Sequence, residues 1–244
     1  MTVPEGEGVA DLPTVLLERS GVVAIAKPFG LATQAPAGFP SVESWLRDRL
    51  PAGAYLGVPH RLDRAVSGVL LMATTPRAAR QLSRQFERRQ VTKTYVAIVA
   101  PGAAVSPVAG ALLEWRDRIA KCPDAAAAAV VGLEDPAGRE GVTSVRTLGE
   151  VAPGRWLLEL APLTGRMHQL RVQAAARGMP VVGDTLYGGP ALAESSDPDH
   201  RRLPIALHAL TIRFRDPDSA EELVVTAALP SFWPAAAVPL LPGH

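Results

Sequence analysis

The chain has 244 residues, 48% of them hydrophobic and 20% charged, with a formal net charge of +1, the balance of a globular protein long enough for one large domain or two subdomains around a cleft. Cys122 is the single cysteine, which excludes an intrachain disulfide and a cysteine-ligated zinc site. No apolar run approaches the roughly 18 residues needed to span a bilayer and the acidic N-terminus lacks a signal pattern, so a reducing cytoplasm is the expected location.

Residues 1–14 read as a flexible tail, rich in Gly, Glu and Pro. Val22–Ala26, bounded by Gly21 and Pro28, predicts a strand. Ser41 predicts a helix cap for 42–50, where Val42, Trp45, Leu46 and Leu50 fall on one face. Gly68–Ala73 predicts a buried strand, with Asp63 in the turn that enters it. Thr75-Pro76 predicts a helix start, and the helix over 77–89 buries Leu82 and Phe86 while Arg77, Arg80, Arg84 and Arg88 share another face. Lys93–Ala100 is the next expected strand and carries Tyr95.

Residues 117–141, with five consecutive alanines, read as an irregular insertion without chemistry. Val142–Glu150 and Arg155–Ala161 predict a strand pair turning at Pro153-Gly154. Thr164 is the expected cap of a helix from Gly165 to Arg177, ending at Gly178, with His168 and Arg171 on one side of it. Residues 190–204 read as a polar loop, His208–Phe214 and Leu223–Ala228 as a closing hairpin, and 231–244 as a Pro-rich tail. Short strands with few helices predict an α+β fold with a largely antiparallel mixed sheet, flanking helices and a central cleft.

The chemistry concentrates between Arg61 and Tyr95, where eight basic residues stand against Asp63 and Glu87. That segment carries +6 and the rest of the chain −5 within the total of +1, a basic patch of the kind that binds phosphate. Within it, Arg61-Leu62-Asp63-Arg64 sets one carboxylate between two guanidinium groups, which favours its anion and suits a nucleophile or an electrostatic partner. Taken alone, that tetrapeptide more often marks an ordinary surface ion pair.

Four ordered blocks change that balance. His60-Arg61-Leu62-Asp63, Lys93-Thr94-Tyr95, Leu163–Arg171 and Gly178–Gly188, preceded by Val23–Pro28, closely resemble the RluA-type family of RNA pseudouridine synthases, from about Val15 to Ala228. The resemblance implies one catalytic domain over 15–230 that isomerises uridines in structured ribosomal or transfer RNA to pseudouridine. The reaction breaks the N1–C1′ bond, turns the base and rejoins it through C5; it involves no redox change, so no metal or organic cofactor is expected.

By the same resemblance Asp63 is the essential carboxylate, with attack at C1′, addition to C6 and removal of a sugar proton all open to it. Arg171 pairs with Asp63, Tyr95 stacks on the uracil, and Arg61, with His60 beside it, fills the gap left when the base is extruded. His168 and Gln169 are expected as hydrogen-bonding neighbours, and Arg77, Arg80, Arg84 and Arg88 as contacts to the RNA backbone. Val66 stands where the family usually has Thr and Gln173 where it usually has His; both positions are expected to flank the site. With no S4-type module in the residues before Val15, recognition is expected to rest on the 77–89 helix and the 190–204 loop. Structured RNA is the one partner implied, no membrane or protein partner is indicated, and a monomer is the default.

Two rivals follow from other readings of the same residues. One is a catalytically inactive RNA-binding protein of this fold. The other is a hydrolase, which would need a second carboxylate across the bond or a metal-binding histidine spacing. Asp184, in a turn, is the one further acidic residue in the motif blocks.

Overall fold

In the computed structural model, which describes residues 12–192, 199 and 202–242, strands dominate and join into one sheet. β1 (Thr14–Arg19) and β2 (Val22–Lys27) form an antiparallel hairpin. Its turn residues Ser20 and Gly21 both have positive φ, 52° and 71°, as a tight two-residue turn demands. β3 (Ser67–Ala73) pairs with β2 and is buried along its whole length, consistent with an unbroken apolar run covered on both faces.

The alternation of strand side chains decides which helix each residue meets. Val69 and Leu71 pack with Ala78 and Leu82 of α2 (Pro76–Glu87), whereas Leu70 and Met72 pack with Val42 and Leu46 of α1 (Val42–Arg47). Both helices start where their caps predict: Ser41 and Ser44 form a reciprocal capping box, and Thr75 accepts from the Ala78 N–H ahead of Pro76.

β4 (Thr92–Val99), β5 (Leu112–Lys121), β6 (Ala128–Val131), β7 (Arg139–Ala152), β8 (Arg155–Pro162), β9 (Leu207–Arg215) and β10 (Glu222–Thr226) complete the sheet. Its order is β1-β2-β3-β9-β4-β8-β7-β5-β6, with β10 paired to β9. The fold is α+β with a largely antiparallel sheet, as expected. The one parallel pair of strands among the described residues, β3 with β9, spans only Ser67↔His208 and Gly68↔Ala209. Beyond it β9 turns to β10 and leaves the edge of β3 open, and the functional loop fills that opening.

Gly68 makes the junction possible. Its φ is 118°, and a Cβ there would stand 2.2 Å from the carbonyl oxygen of Ala209. Gly68→Ala combines a steric clash with a backbone conformation that L side chains avoid. It is expected to lower stability by at least about 3 kcal/mol, read as a fall in the urea midpoint.

Three segments depart from the sequence expectation. Residues 117–141 are not an irregular insertion: β5 and β6 form a hairpin, and β7 begins at Arg139. Within β6 Ala128 is buried and Val130 exposed, a strand that the alanine-rich composition conceals. The stretch after Pro230 is not a free tail within the described residues. Trp233 and Ala237 are buried in the main core around a 3-10 helix, Ala235–Leu240. Thr164 does not cap the third helix, because α3 (Gln169–Ala176) starts four residues later than predicted. The expected N-terminal tail up to residue 11 and most of the 190–204 loop lie outside the described residues.

Candidate active site

Asp63 lies in the loop that fills the open edge of β3, and both its chain neighbours are pinned. The Leu62 N–H donates to Thr33 Oγ1 at 3.1 Å, and that hydroxyl donates to the Leu62 carbonyl at 2.9 Å. On the other side, the Arg64 carbonyl accepts from the Gly30 N–H at 2.8 Å and from Lys27 Nζ at 3.2 Å. Lys27 Nζ also donates to the carbonyls of Pro28 and Leu31, at 2.8 and 2.7 Å. The buried ammonium thereby ties the end of β2 to the loop, and burial lowers its pKa to about 7 against the opposing pull of Asp63. Read along the sequence, Lys27 was only the polar end of an apolar strand; its role emerges from what it caps.

The flanking arginines do not bracket the carboxylate as the tetrapeptide suggested. Arg64 turns away, with Nε on the Gly30 carbonyl at 2.8 Å and NH1 on Asp199 at 3.2 Å, and Arg61 is exposed. Side-chain direction follows loop geometry here, not proximity in sequence. The charge facing Asp63 comes instead from Arg171, whose NH1 lies 3.5 Å from Oδ2, with His168 Nε2 at 3.7 Å.

Arg171 is itself gripped by a residue that sequence reading set aside. Its Nε and NH2 donate to Asp184 Oδ2 and Oδ1, both at 2.7 Å, a planar two-point pairing. Side-chain exposure is 6% for Arg171, 1% for Asp184 and 34% for Asp63, so the pair Arg171–Asp184 is the buried base and Asp63 the accessible end. Burial opposes the charge on Arg171, but the Asp184 hydrogen bonds and the charges of Asp184 and Asp63 prevail and raise its pKa. The sequence signal for Asp184 was its place in the Gly183–Gly188 block.

His168, the residue before α3, has φ 52° in the left-handed region, an uncommon conformation for a side-chain-bearing residue. Nδ1 shares a hydrogen bond with the Tyr187 hydroxyl at 2.8 Å, and that hydroxyl accepts from the Ala128 N–H at 2.9 Å. The β5–β6 hairpin thus reaches the site through Tyr187, and the stretch read as chemically empty helps hold the His168 ring.

Asp63, Tyr95, Lys93, Arg61, His168 and Arg171 line a cleft of about 1060 Å³. Tyr95 packs against the hydrophobic clusters on both sides of the sheet crossing. Burial first, then the charge of Asp63, pushes its phenol pKa up, so the ring stays neutral. Arg77, Arg80, Arg84 and Arg88 are exposed on α2 and do not line this cleft; Arg77 pairs with Asp218 at 3.1 Å. From that helix end, Phe86, Glu87 and Arg89 reach it. Val66 borders the deep recess beside Asp63. Gln173 does not flank the site: fully buried, it accepts from Thr143 Oγ1 at 2.7 Å and donates to Asp117 Oδ2 at 2.7 Å, fastening α3 to β7 and β5.

His60 borders the cleft, but its ring serves the fold. Nε2 accepts the Leu71 N–H at 2.8 Å, the donor left over where β9 has parted from β3, and the ring stacks on Phe86 at 4.6 Å. Burial lowers the pKa of His60 to about 3 and that of the buried His208 to about 4. Unfolded, both titrate near 6.5, so below that pH the unfolded chain binds more protons and stability falls as pH falls. Two such groups are expected to remove about 3 kcal/mol between pH 6.5 and 5. His60→Gln should abolish about half of that loss in urea titrations at the two pH values.

The cleft gathers a partly exposed aspartate, a buried arginine behind it and a neutral tyrosine against the mixed sheet. Residues 21–176 match the family model for RNA pseudouridylate synthase. The chain is 34% identical over 229 residues to tRNA pseudouridine synthase C of Salmonella typhi, covering 84% of each chain. It is 35% identical over 234 residues to ribosomal large subunit pseudouridine synthase D of Xanthomonas campestris, covering 90% of this chain and 67% of that one. The solved structure of human RNA pseudouridylate synthase domain containing 1 superposes with a TM-score of 0.70 at 25% identity, covering 92% of this chain and 86% of that one. The chain belongs to the RNA pseudouridylate synthase family, in its RluA-type branch, and is an RNA pseudouridine synthase. No helix among the described residues is long and apolar enough to cross a membrane.

Proposed function

We propose that Asp63 is the essential carboxylate in converting a uridine of a transfer or ribosomal RNA to pseudouridine, acting on a base extruded from the RNA. The observation that carries this reading is the chain Asp184–Arg171–Asp63, in which a fully buried ion pair presents one guanidinium nitrogen to a carboxylate at the cleft floor. Such an arrangement aims a carboxylate without exposing the arginine to solvent.

In this reading the uracil rests on the Tyr95 ring, whose neutral phenol suits stacking. The cleft retains the detached base while N1–C1′ opens and C5–C1′ forms, and the C5 proton then leaves. Arg61, exposed at the rim beside Asp63, fills the stack vacated by the base, at a cost of a few kcal/mol for extrusion. His168 lines the same cleft as Tyr95 and acts as a hydrogen-bonding neighbour of the site. Arg80, Arg84 and Arg88 contact the RNA backbone outside the cleft, with Arg77 partly engaged by Asp218. His60 acts by holding the loop to β3. The enzyme works without metal or organic cofactor, as a monomer in the cytoplasm.

Transcribed transfer and ribosomal RNAs carrying tritium at uridine C5 test the reading. Tritium release by the wild-type protein from one RNA class would support it and identify the substrate. Tight binding with no release from either class would favour an RNA-holding protein of the same fold.

A further inference from the structure

Lys93 is a cation in the cleft that the Asp63 machinery leaves unused. It stands two residues before Tyr95 on β4, so both side chains leave the same face of the strand, and both line the main cleft and the deep recess that contains Asp63. Among the described residues the Lys93 side chain makes no hydrogen bond and no ion pair. Its surroundings disfavour an ammonium: burial lowers its pKa, and the His60 ring, which feels its charge, is held neutral by its own burial and by Lys93. A partly buried lysine with no counter-charge weakens the fold, and nothing in the fold uses its charge. The missing anion therefore comes from outside the chain.

The register along β4 indicates which anion. Lys93 is displaced from Tyr95 by about 6.6 Å along the strand, on the side of the cleft bordered by Phe86, Arg89 and Val91. With the uracil on Tyr95, a cation about 6.6 Å away along the strand stands beyond the edge of the stacked ring, and the anionic part of a nucleotide within such reach is its phosphate. We infer that Lys93 binds a phosphate adjoining the extruded uridine and thereby sets how far the base enters toward Asp63. The inference rests on the proposed placement of the base on Tyr95. It makes Lys93 a substrate-binding residue distinct from the exposed arginines of α2, since its contact forms only once a nucleotide has entered the cleft.

The test uses the same transcribed transfer and ribosomal RNAs with Lys93→Met and Lys93→Arg. Lys93→Met is expected to weaken binding of the RNA that releases tritium roughly tenfold. It should also make the slope of log affinity against log salt shallower by about 0.7 to 0.9, the signature of one lost phosphate contact. Lys93→Arg should restore the slope. The thermal midpoint of Lys93→Met should equal or exceed that of wild type, because a desolvated charge has been removed; a lysine with a structural role would lower it. An unchanged salt slope in Lys93→Met, or a loss of affinity that merely follows a lower thermal midpoint, would overturn the inference. Tritium release by wild type reports separately on the Asp63 reading. A wild-type protein that releases tritium while Lys93→Met keeps its full slope removes Lys93 alone.

Discussion

Asp63→Asn is expected to lower the single-turnover rate of pseudouridine formation at least about a thousandfold while changing RNA affinity by less than about threefold. The amide preserves the shape of the side chain and removes the charge on which the proposed role of Asp63 depends. Little else should change, because the side chain is one-third exposed and Arg171 keeps its two-point pairing with Asp184. The buried pair therefore stays compensated and stability should fall by no more than about 1 kcal/mol. Tritium release and filter binding, measured side by side on wild type and variant, separate the two effects. Comparable rates in the two proteins would remove Asp63 from the reaction and leave the buried arginine without a catalytic purpose.

The second large effect belongs to Asp184. Asp184→Ala leaves the Arg171 guanidinium, 6% exposed, with the 3.5 Å contact to Asp63 as its one carboxylate partner among the described residues. Removing one partner of a buried ion pair typically costs about 3 to 5 kcal/mol, because the other charge remains desolvated. At about 2 to 4 °C per kcal/mol for a chain of this size, the thermal midpoint should drop by on the order of 10 °C. The rate should fall as well, by roughly ten- to a hundredfold at a temperature where the variant is folded, because Arg171 no longer holds one direction. A compensating pair, Asp184→Leu with Arg171→Met, should recover much of the stability and none of the activity. An Asp184→Ala protein that melts with wild type would mean that water reaches the pair, contrary to its burial.

These two residues also mark how far local sequence carries. The family was legible because the Asp63 block and three others occur in order along the chain. Caps such as Ser41 and Thr75, the apolar run of β3 and the β9–β10 hairpin were legible for a related reason: each depends on residues within about a dozen positions of one another. So did the α+β class and the largely antiparallel sheet, which follow from short strands punctuated by turn residues.

What the local pattern got wrong was orientation across distance. Arg61 and Arg64 flank Asp63 in sequence, yet Arg64 points to Gly30 and Asp199 while the facing guanidinium comes from Arg171, 108 positions away. Asp184 looked like a turn residue because its partner is a helix side chain, and no periodicity relates the two. The alanine-rich 117–141 stretch hid a hairpin whose Ala128 N–H helps hold Tyr187 and through it His168.

The sequence by itself determined the family, the fold class and many of the elements, because those reside in short-range order and in side-chain identity. The tertiary structure alone decided which charges meet. A buried ion pair is selected by the desolvation that surrounds it, and desolvation is a property of the closed sheet and its packed helices, not of any segment of the chain.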